Sequence, residues 1–227
     1  NLSINDSIKK ADASDGDDTG FVRVITGSHT VAETAGTDTS LADYDSEYYC
    51  SDDNSEDEGW WAYAEGTSIS IPVTTGQHIT CTFYNTRRAQ LTIVKDAQPQ
   101  DGQDFTFTVT RLPDEDTVQQ RVTRDSAATL LELAKDATVT RDAGDTFELD
   151  DDADATLPSS KQLGLSPGLY SVEESPTAGW DLTSIDCGDD VEWYQEGTTA
   201  YVYLTAGQKL TCTFTNTKRA TVTITKD

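Results

Sequence analysis

Apolar and polar residues alternate along most of this chain. Phe105-Thr-Phe-Thr-Val109, Tyr170-Ser-Val-Glu-Glu174, Leu210-Thr-Cys-Thr-Phe214 and Thr221-Val-Thr-Ile-Thr225 each place every second side chain on one face. Clusters of Gly, Pro and Asp bound these runs. A period of two between turn signals is the signature of half-buried β-strands. One stretch, Ser126–Ala137, reads as a helix, short and peripheral. The pattern predicts an all-β protein built of β-sandwiches.

The strands also repeat. GTSISIPVTTGQHITCTFYNTRRAQLTIVKD, from Gly66 to Asp96, aligns without a gap on GTTAYVYLTAGQKLTCTFTNTKRATVTITKD, from Gly197 to Asp227, and more than half of the aligned positions are identical. Self-similarity on this scale marks an array of one structural unit. It predicts a first domain over 1–88, a second over 89–219, and a strand over 220–227 that belongs to a following or neighbouring domain. The first domain is the shorter. Gly27–Glu33 matches Gly168–Glu174, and Leu2–Asp6 is set against Phe147–Asp151. In that register the first domain lacks the opening strands found in the second at Leu91–Lys95 and Phe105–Val109. A rival register sets Ser7–Lys10 against the strand ending in Lys95.

Alternation decides which side chains share a face. Lys95 follows Leu91 and Ile93 inward, Asn216 follows Cys212 and Phe214, and Glu174 follows Tyr170 and Val172. Glu173 competes with Glu174 for the inward position. A Lys, an Asn and a Glu therefore end three apolar faces of one sandwich. Burying such groups unpaired costs several kcal/mol, so they are expected to meet.

The order V-x-I-x-K-D, then L-S-P-G-x-Y-x-V-x-E, then G-W, then a strand ending F-x-N resembles the collagen-adhesin B-type repeats. These are the SpaA-type prealbumin-like (Ig-like, CnaB-type) domains of microbial cell-surface proteins. The resemblance spans Leu91–Asn216 and most of Leu2–Asn85. It implies two tandem prealbumin-like sandwiches in an extracellular stalk, pilin or adhesin without enzymatic turnover. Many members of that family join a Lys to an Asn by an isopeptide bond with a buried Glu as catalyst. Carried onto this sequence, Lys95 would join Asn216 with Glu174 catalysing. The first domain has Glu33 and Asn85 at the matching positions and no matching Lys in the first register, whereas the strand Thr221–Lys226 has Lys226 and no domain of its own. Donation of Thr221, Val222, Ile224 and Lys226 to the first domain of another copy fills both gaps and gives an open head-to-tail polymer. The alternative is a tandem array whose missing strands come from the same chain.

The four cysteines fall in repeat, Cys81 and Cys212 being equivalent, so one pair per domain predicts Cys50–Cys81 and Cys187–Cys212. Such bridges fit an oxidising, extracytoplasmic setting: secreted or on the cell surface. A zinc site is disfavoured, since there is no C-x-x-C and the only histidines are His29 and His78.

Composition adds exclusions. Forty-one acidic and 16 basic residues give a net charge of −25, which argues against nucleic acid and against anionic membrane surfaces. No apolar run is long enough to span a bilayer as a helix. No Ser/His/Asp set or phosphate loop is visible, and no cofactor is implied. Asp150, Asp152 and Asp154 alternate like the start of a Ca²⁺ loop, but the glycine of such a loop is missing and Lys161 stands where a bidentate Glu belongs. Asp52, Asp53, Glu56, Asp57 and Glu58 form a second acidic cluster. Trp60, Trp61 and Tyr63 could present an aromatic surface to glycan or protein, the basis of an alternative reading as an adhesin or binding module. Asn1 and Asn5 begin N-glycosylation sequons.

Overall fold

In a computed structural model, the structure describes residues 1–53, 61–112, 144–154, 156–189 and 191–226, with the side chain of Trp61 left out. The expected helix at Ser126–Ala137 lies outside these residues. The chain divides into two compact units, Asn1–Arg88 and Ala89–Asp227. Among the described residues no helix is long and apolar enough to cross a membrane.

The second unit is a two-sheet sandwich. Its strands are β8 (Ala89–Gln98), β9 (Asp101–Arg111), β10 (Asp145–Asp151), β11 (Ser160–Leu165), β12 (Gly168–Glu174), β13 (Trp180–Asp186), β14 (Trp193–Glu196), β15 (Thr199–Leu204) and β16 (Lys209–Lys218). One sheet has the order β10-β9-β12-β15-β14 and the other β11-β8-β16-β13. The alternation seen in the sequence becomes burial: Leu91, Ile93, Phe105, Phe107, Val172, Val202 and Phe214 form one core. Phe107 packs edge-on against Phe214 at 5.2 Å between ring centres. Strand β8 lies inside its sheet, antiparallel to β11 and parallel to β16, with Leu91 beside Leu210, Ile93 beside Cys212 and Lys95 beside Phe214.

The first unit contains β1 (Leu2–Ile4), β2 (Ser7–Lys10), β3 (Gly27–Glu33), β4 (Tyr44–Asp52), β5 (Trp61–Glu65), β6 (Ser68–Val73) and β7 (Ile79–Arg87). Its sheets have the orders β2-β1-β3-β6 and β5-β4-β7. Equivalent pieces fold alike. The turns before β7 and β16 each place a glycine, Gly76 and Gly207, in the left-handed region. In each, a glutamine side chain accepts from a threonine N–H: Gln77 from Thr74 at 2.7 Å and Gln208 from Thr205 at 2.8 Å.

Pairing corrects both registers expected for the first unit. Strand β1 pairs with β3 so that Leu2 faces Glu33 and Ile4 faces Val31. In the second unit β9 meets β12 in the same way, Phe107 facing Glu174 and Val109 facing Val172. Leu2–Ile4 therefore stands for Phe107–Val109, not for part of Phe147–Asp151. Strand β2 pairs with β1 as β10 pairs with β9. It is not the counterpart of the Lys95 strand, and Lys10 instead meets Asp17 at 3.3 Å. Among its described strands the first unit lacks the counterpart of β8 and of its neighbour β11, and none lies beside β6 as β14 lies beside β15. Short polar runs such as Ser7–Lys10 carry too little apolar pattern to fix a register, so sheet pairing decided it.

The expected strand Thr221–Lys226 is not hydrogen-bonded into a sheet, and Val222 and Ile224 are 86% and 90% exposed.

Both disulfides form, Cys50–Cys81 and Cys187–Cys212, closing separations of 31 and 25 residues. Each joins paired neighbours, β4 to β7 and the end of β13 to β16. Loop closure of this length constrains the unfolded chain by about 3–4 kcal/mol. Replacing Cys187 and Cys212 together by Ala is expected to lower the unfolding free energy of the second unit by about that amount. Denaturant titration of the variant beside the parent protein measures it.

Candidate functional site

Three strands of the second unit bring their terminal polar side chains to one point. Strand β8 delivers Lys95, β12 delivers Glu174 and β16 delivers Asn216, all at most 2% exposed. Glu173 points outward, as alternation requires of the neighbour of a buried residue. The Lys95 amine donates to Asn216 Oδ1 at 2.8 Å and to the backbone carbonyls of Phe214 at 2.9 Å and Asp96 at 3.1 Å. Asn216 Nδ2 donates to Glu174 Oε1 at 2.5 Å. Glu174 Oε2 lies 4.0 Å from the Lys95 amine and has no hydrogen-bond partner. The amine also sits over the Phe105 ring, 4.2 Å from its centre.

This core is hostile to charge. Burial pushes the Lys95 amine down to about 8, against the pull of Glu174, Asp96 and Asp151. Burial raises the Glu174 carboxyl, opposed by Lys95 and by the Asn216 hydrogen bond. Both shifts favour the neutral pair: an amine with a free lone pair and a carboxylic acid. That state offers a nucleophile within hydrogen-bond distance of an amide and an acid already bonded to the amide nitrogen.

The first unit holds two thirds of the same arrangement. Asn85 Nδ2 donates to both oxygens of Glu33, at 2.7 and 2.9 Å. The Ser46 hydroxyl donates to Asn85 Oδ1 at 2.5 Å, a contact alternation did not reveal because it depends on β4 pairing with β7. No lysine completes the set among the described residues of this unit. Strand β7 has β4 on one edge and no described strand on the other. Between the two sheets lies a cleft of about 1130 Å³, lined by Leu2, Val31, Glu33, Ile71, Phe83 and Asn85 among others. Residues 13–22 and Val24 line the same cleft, and the Phe21 ring lies 4.8 Å from that of His78. Ile79, Cys81 and Phe83 are half-buried and Asn85 is exposed, whereas their counterparts Leu210, Cys212, Phe214 and Asn216 are buried.

The other predicted residues are dispersed. Trp60, Glu56, Asp57 and Glu58 lie outside the described residues, and Trp61 contributes its backbone to β5. Tyr63 is exposed, and its hydroxyl donates to Glu47 at 2.5 Å, which makes the phenol harder to ionise than usual. Asp52 accepts from the His78 N–H at 3.3 Å, and Asp53 accepts from the Thr80 hydroxyl at 2.5 Å. Asn1 donates to the Ala35 carbonyl at 2.6 Å. The Asn5 amide is engaged on both sides, with His29 Nδ1 at 2.9 Å and the Thr30 N–H at 3.0 Å. Asp150, Asp152 and Asp154 do converge, each offering an oxygen within 4.8 Å of the others. Burial, Asp152 and Asp154 raise the Asp150 carboxyl, while the Thr156 hydroxyl and N–H lower that of Asp154.

A lysine held uncrosslinked in this core makes stability depend on pH. Its amine titrates at 10.5 when unfolded and at about 8 when folded. Above 10.5 neither state is charged and no penalty exists. As pH falls through that window the unfolded chain gains a proton that the folded chain refuses, so stability drops. Below about 8 the full penalty, on the order of 3 kcal/mol, is present. Asn216→Ala protein, which keeps the free amine, is expected to lose melting temperature between pH 10.5 and 8. Lys95→Met added to it should flatten that slope, read by thermal unfolding across the range.

Two family models describing a SpaA-type prealbumin-like fold domain match the chain, one over residues 11–87 and one over residues 143–218, together more than half its length. None of the curated proteins matches it. Among solved structures, the chain is similar at 11% identity to an adhesin of Mobiluncus mulieris that contains intramolecular disulfide, isopeptide and ester cross-links, covering 96% of this chain and 97% of that one with a TM-score of 0.41. It is also similar at 16% identity to the T-13 major pilin of Streptococcus pyogenes, covering 88% of this chain and 69% of that one with a TM-score of 0.34. With a matched domain in each compact unit, the chain belongs to the SpaA-type prealbumin-like fold family, carrying two such domains in tandem.

Proposed function

We propose that this protein is a structural subunit of an extracellular filament, pilus or surface stalk, and that it extends head to tail. Residues Thr221–Lys226 of one copy add to the free edge of β7 in the next. The observation that carries this reading is that one strand sequence exists in two states. As β16 it is covered by β8 and buried; as β7 it is uncovered beside an open cleft. The segment that covers it in the second unit, Leu91-Thr-Ile-Val-Lys-Asp96, recurs as Val222-Thr-Ile-Thr-Lys-Asp227. Membership of a family of surface-protein domains and two disulfides support an extracytoplasmic place.

Transferring the β8–β16 register fixes the fit. Val222 lies beside Ile79, Ile224 beside Cys81 and Lys226 beside Phe83. Parallel addition supplies main-chain hydrogen bonds, and Val222 and Ile224 leave water for the cleft. Lys226 then reaches Asn85 and Glu33 as Lys95 reaches Asn216 and Glu174. In each trio the neutral amine attacks the asparagine Cγ, and a C–N amide bond forms. The asparagine nitrogen takes a proton through the glutamic acid and leaves as ammonia. No oxidant is needed. At Asn85 the Ser46 hydroxyl is placed to stabilise charge developing on Oδ1. The bond at Lys95 is intramolecular and the one at Lys226 joins copies.

Denaturing, reducing gels with intact-mass analysis test the reading. The expected result is a ladder of multimers, each lighter than its summed sequence by one ammonia per bond. Glu174→Ala restores one ammonia per copy and keeps the ladder. Lys226→Arg abolishes the ladder while light scattering still detects assembly, and Ile224→Asp abolishes both. Assembly that survives Ile224→Asp overturns strand donation; full-mass multimers overturn the isopeptide chemistry.

A further inference from the structure

We propose that the turn between β10 and β11 binds one Ca²⁺ ion through Asp150, Asp152 and Asp154. The three carboxylates each place an oxygen within 4.8 Å of the others. Ca²⁺ takes 6–8 oxygen ligands at 2.3–2.6 Å in flexible geometry and suits a cluster of carboxylates, whereas Mg²⁺ demands near-ideal octahedral geometry at 2.0–2.1 Å and keeps several waters.

Asp150 gives the second and independent argument. It is 1% exposed, yet its Oδ1 has no hydrogen-bond partner. Its other oxygen faces the Thr156 hydroxyl at 3.4 Å, but that hydroxyl has a single proton and a closer acceptor in Asp154 Oδ1 at 2.6 Å. A buried carboxylate with one oxygen bare and the other weakly bonded, set among other carboxylates, is a costly arrangement that a cation relieves. A register shift in the β9–β10 pairing between Leu149 and Asp151 produces it, breaking the alternation so that Leu149 and Asp150 are both buried. A side chain at Gly102 would lie 2.6 Å from Asp152 Oδ2, so glycine there leaves room for the carboxylate.

The lysine that spoiled the resemblance to a Ca²⁺ loop is engaged elsewhere. Lys161 meets Asp145 at 3.1 Å and covers the Phe147 ring at 4.2 Å. Within the turn, the Asp154 N–H donates to Asp152 Oδ1 at 2.7 Å and the Thr156 N–H to Asp154 Oδ1 at 2.7 Å, which orients those carboxylates.

The turn is tied to β8. Ser159 accepts from the Lys95 backbone N–H at 2.9 Å, and Asp151 accepts from the Ala97 N–H at 2.9 Å. An ion here fastens the crossover between the two sheets onto the strand that carries Lys95. The proposal is independent of filament formation.

Calorimetric titration of CaCl₂ into the chelator-treated full chain, at about 0.15 M KCl to screen its diffuse negative charge, tests it. The expected result is one saturable site with a dissociation constant on the order of 0.1–1 mM and a melting temperature that rises with Ca²⁺. Asp152→Asn and Asp154→Asn should each weaken binding at least tenfold. In chelator both variants should melt no lower than the parent, because each removes a like charge beside Asp150. Absence of saturable heat, an equal response to MgCl₂, or unchanged binding in both variants overturns the proposal.

Discussion

Everything in this molecule turns on one position in a sheet, the slot beside the strand that reads Cys-Thr-Phe-x-Asn. A strand in a sheet interior needs a partner on both edges, because unpaired N–H and C=O groups and a bare apolar face are costly together. In the second unit β8 fills the slot, and Leu210, Cys212, Phe214 and Asn216 all become buried. In the first unit the slot has no described strand, and the same sequence is an edge over a cleft. Burial of the Asn–Glu pair, closure of the core and arrival of a lysine are one event, because β8 brings all three.

The second unit leaves two buried side-chain oxygens without a hydrogen bond among the described residues: Glu174 Oε2 and Asp150 Oδ1. Both lie along β8. One faces the amine that β8 carries inward, and the other lies at the end of β10 next to Asp151, which like Ser159 accepts from the backbone of β8. Native cores rarely tolerate such atoms, and where they persist a reaction or a ligand gives a reason.

Much of this was legible in the residues themselves. Strict alternation in Leu91–Lys95, Tyr170–Glu174 and Cys212–Asn216 is enough to turn Lys95, Glu174 and Asn216 each to the inner face of its own strand, because a strand's side chains can point only two ways. The internal repeat and the motif order point to two prealbumin-like domains. The short strands of the first unit were not legible. Ser7–Lys10 is polar on both faces, and Leu2–Ile4 is too short to carry a pattern. Asp150 was visible as a member of an acidic triplet, but nothing in its sequence marks it as buried.

The sequence by itself determined which side chains share a face and which segments are copies of one another, since both follow from local period and identity. Tertiary structure alone decided which copy is covered. It set Leu2–Ile4 in the place of Phe107–Val109, left β7 as an edge among the described strands, gave the Asn85 carbonyl to Ser46, and turned Asp150 inward at a register shift. Each of these depends on which strand lies next to which. Strand pairing is a non-local choice, settled by the energy of the whole sheet rather than by the residues of any one strand.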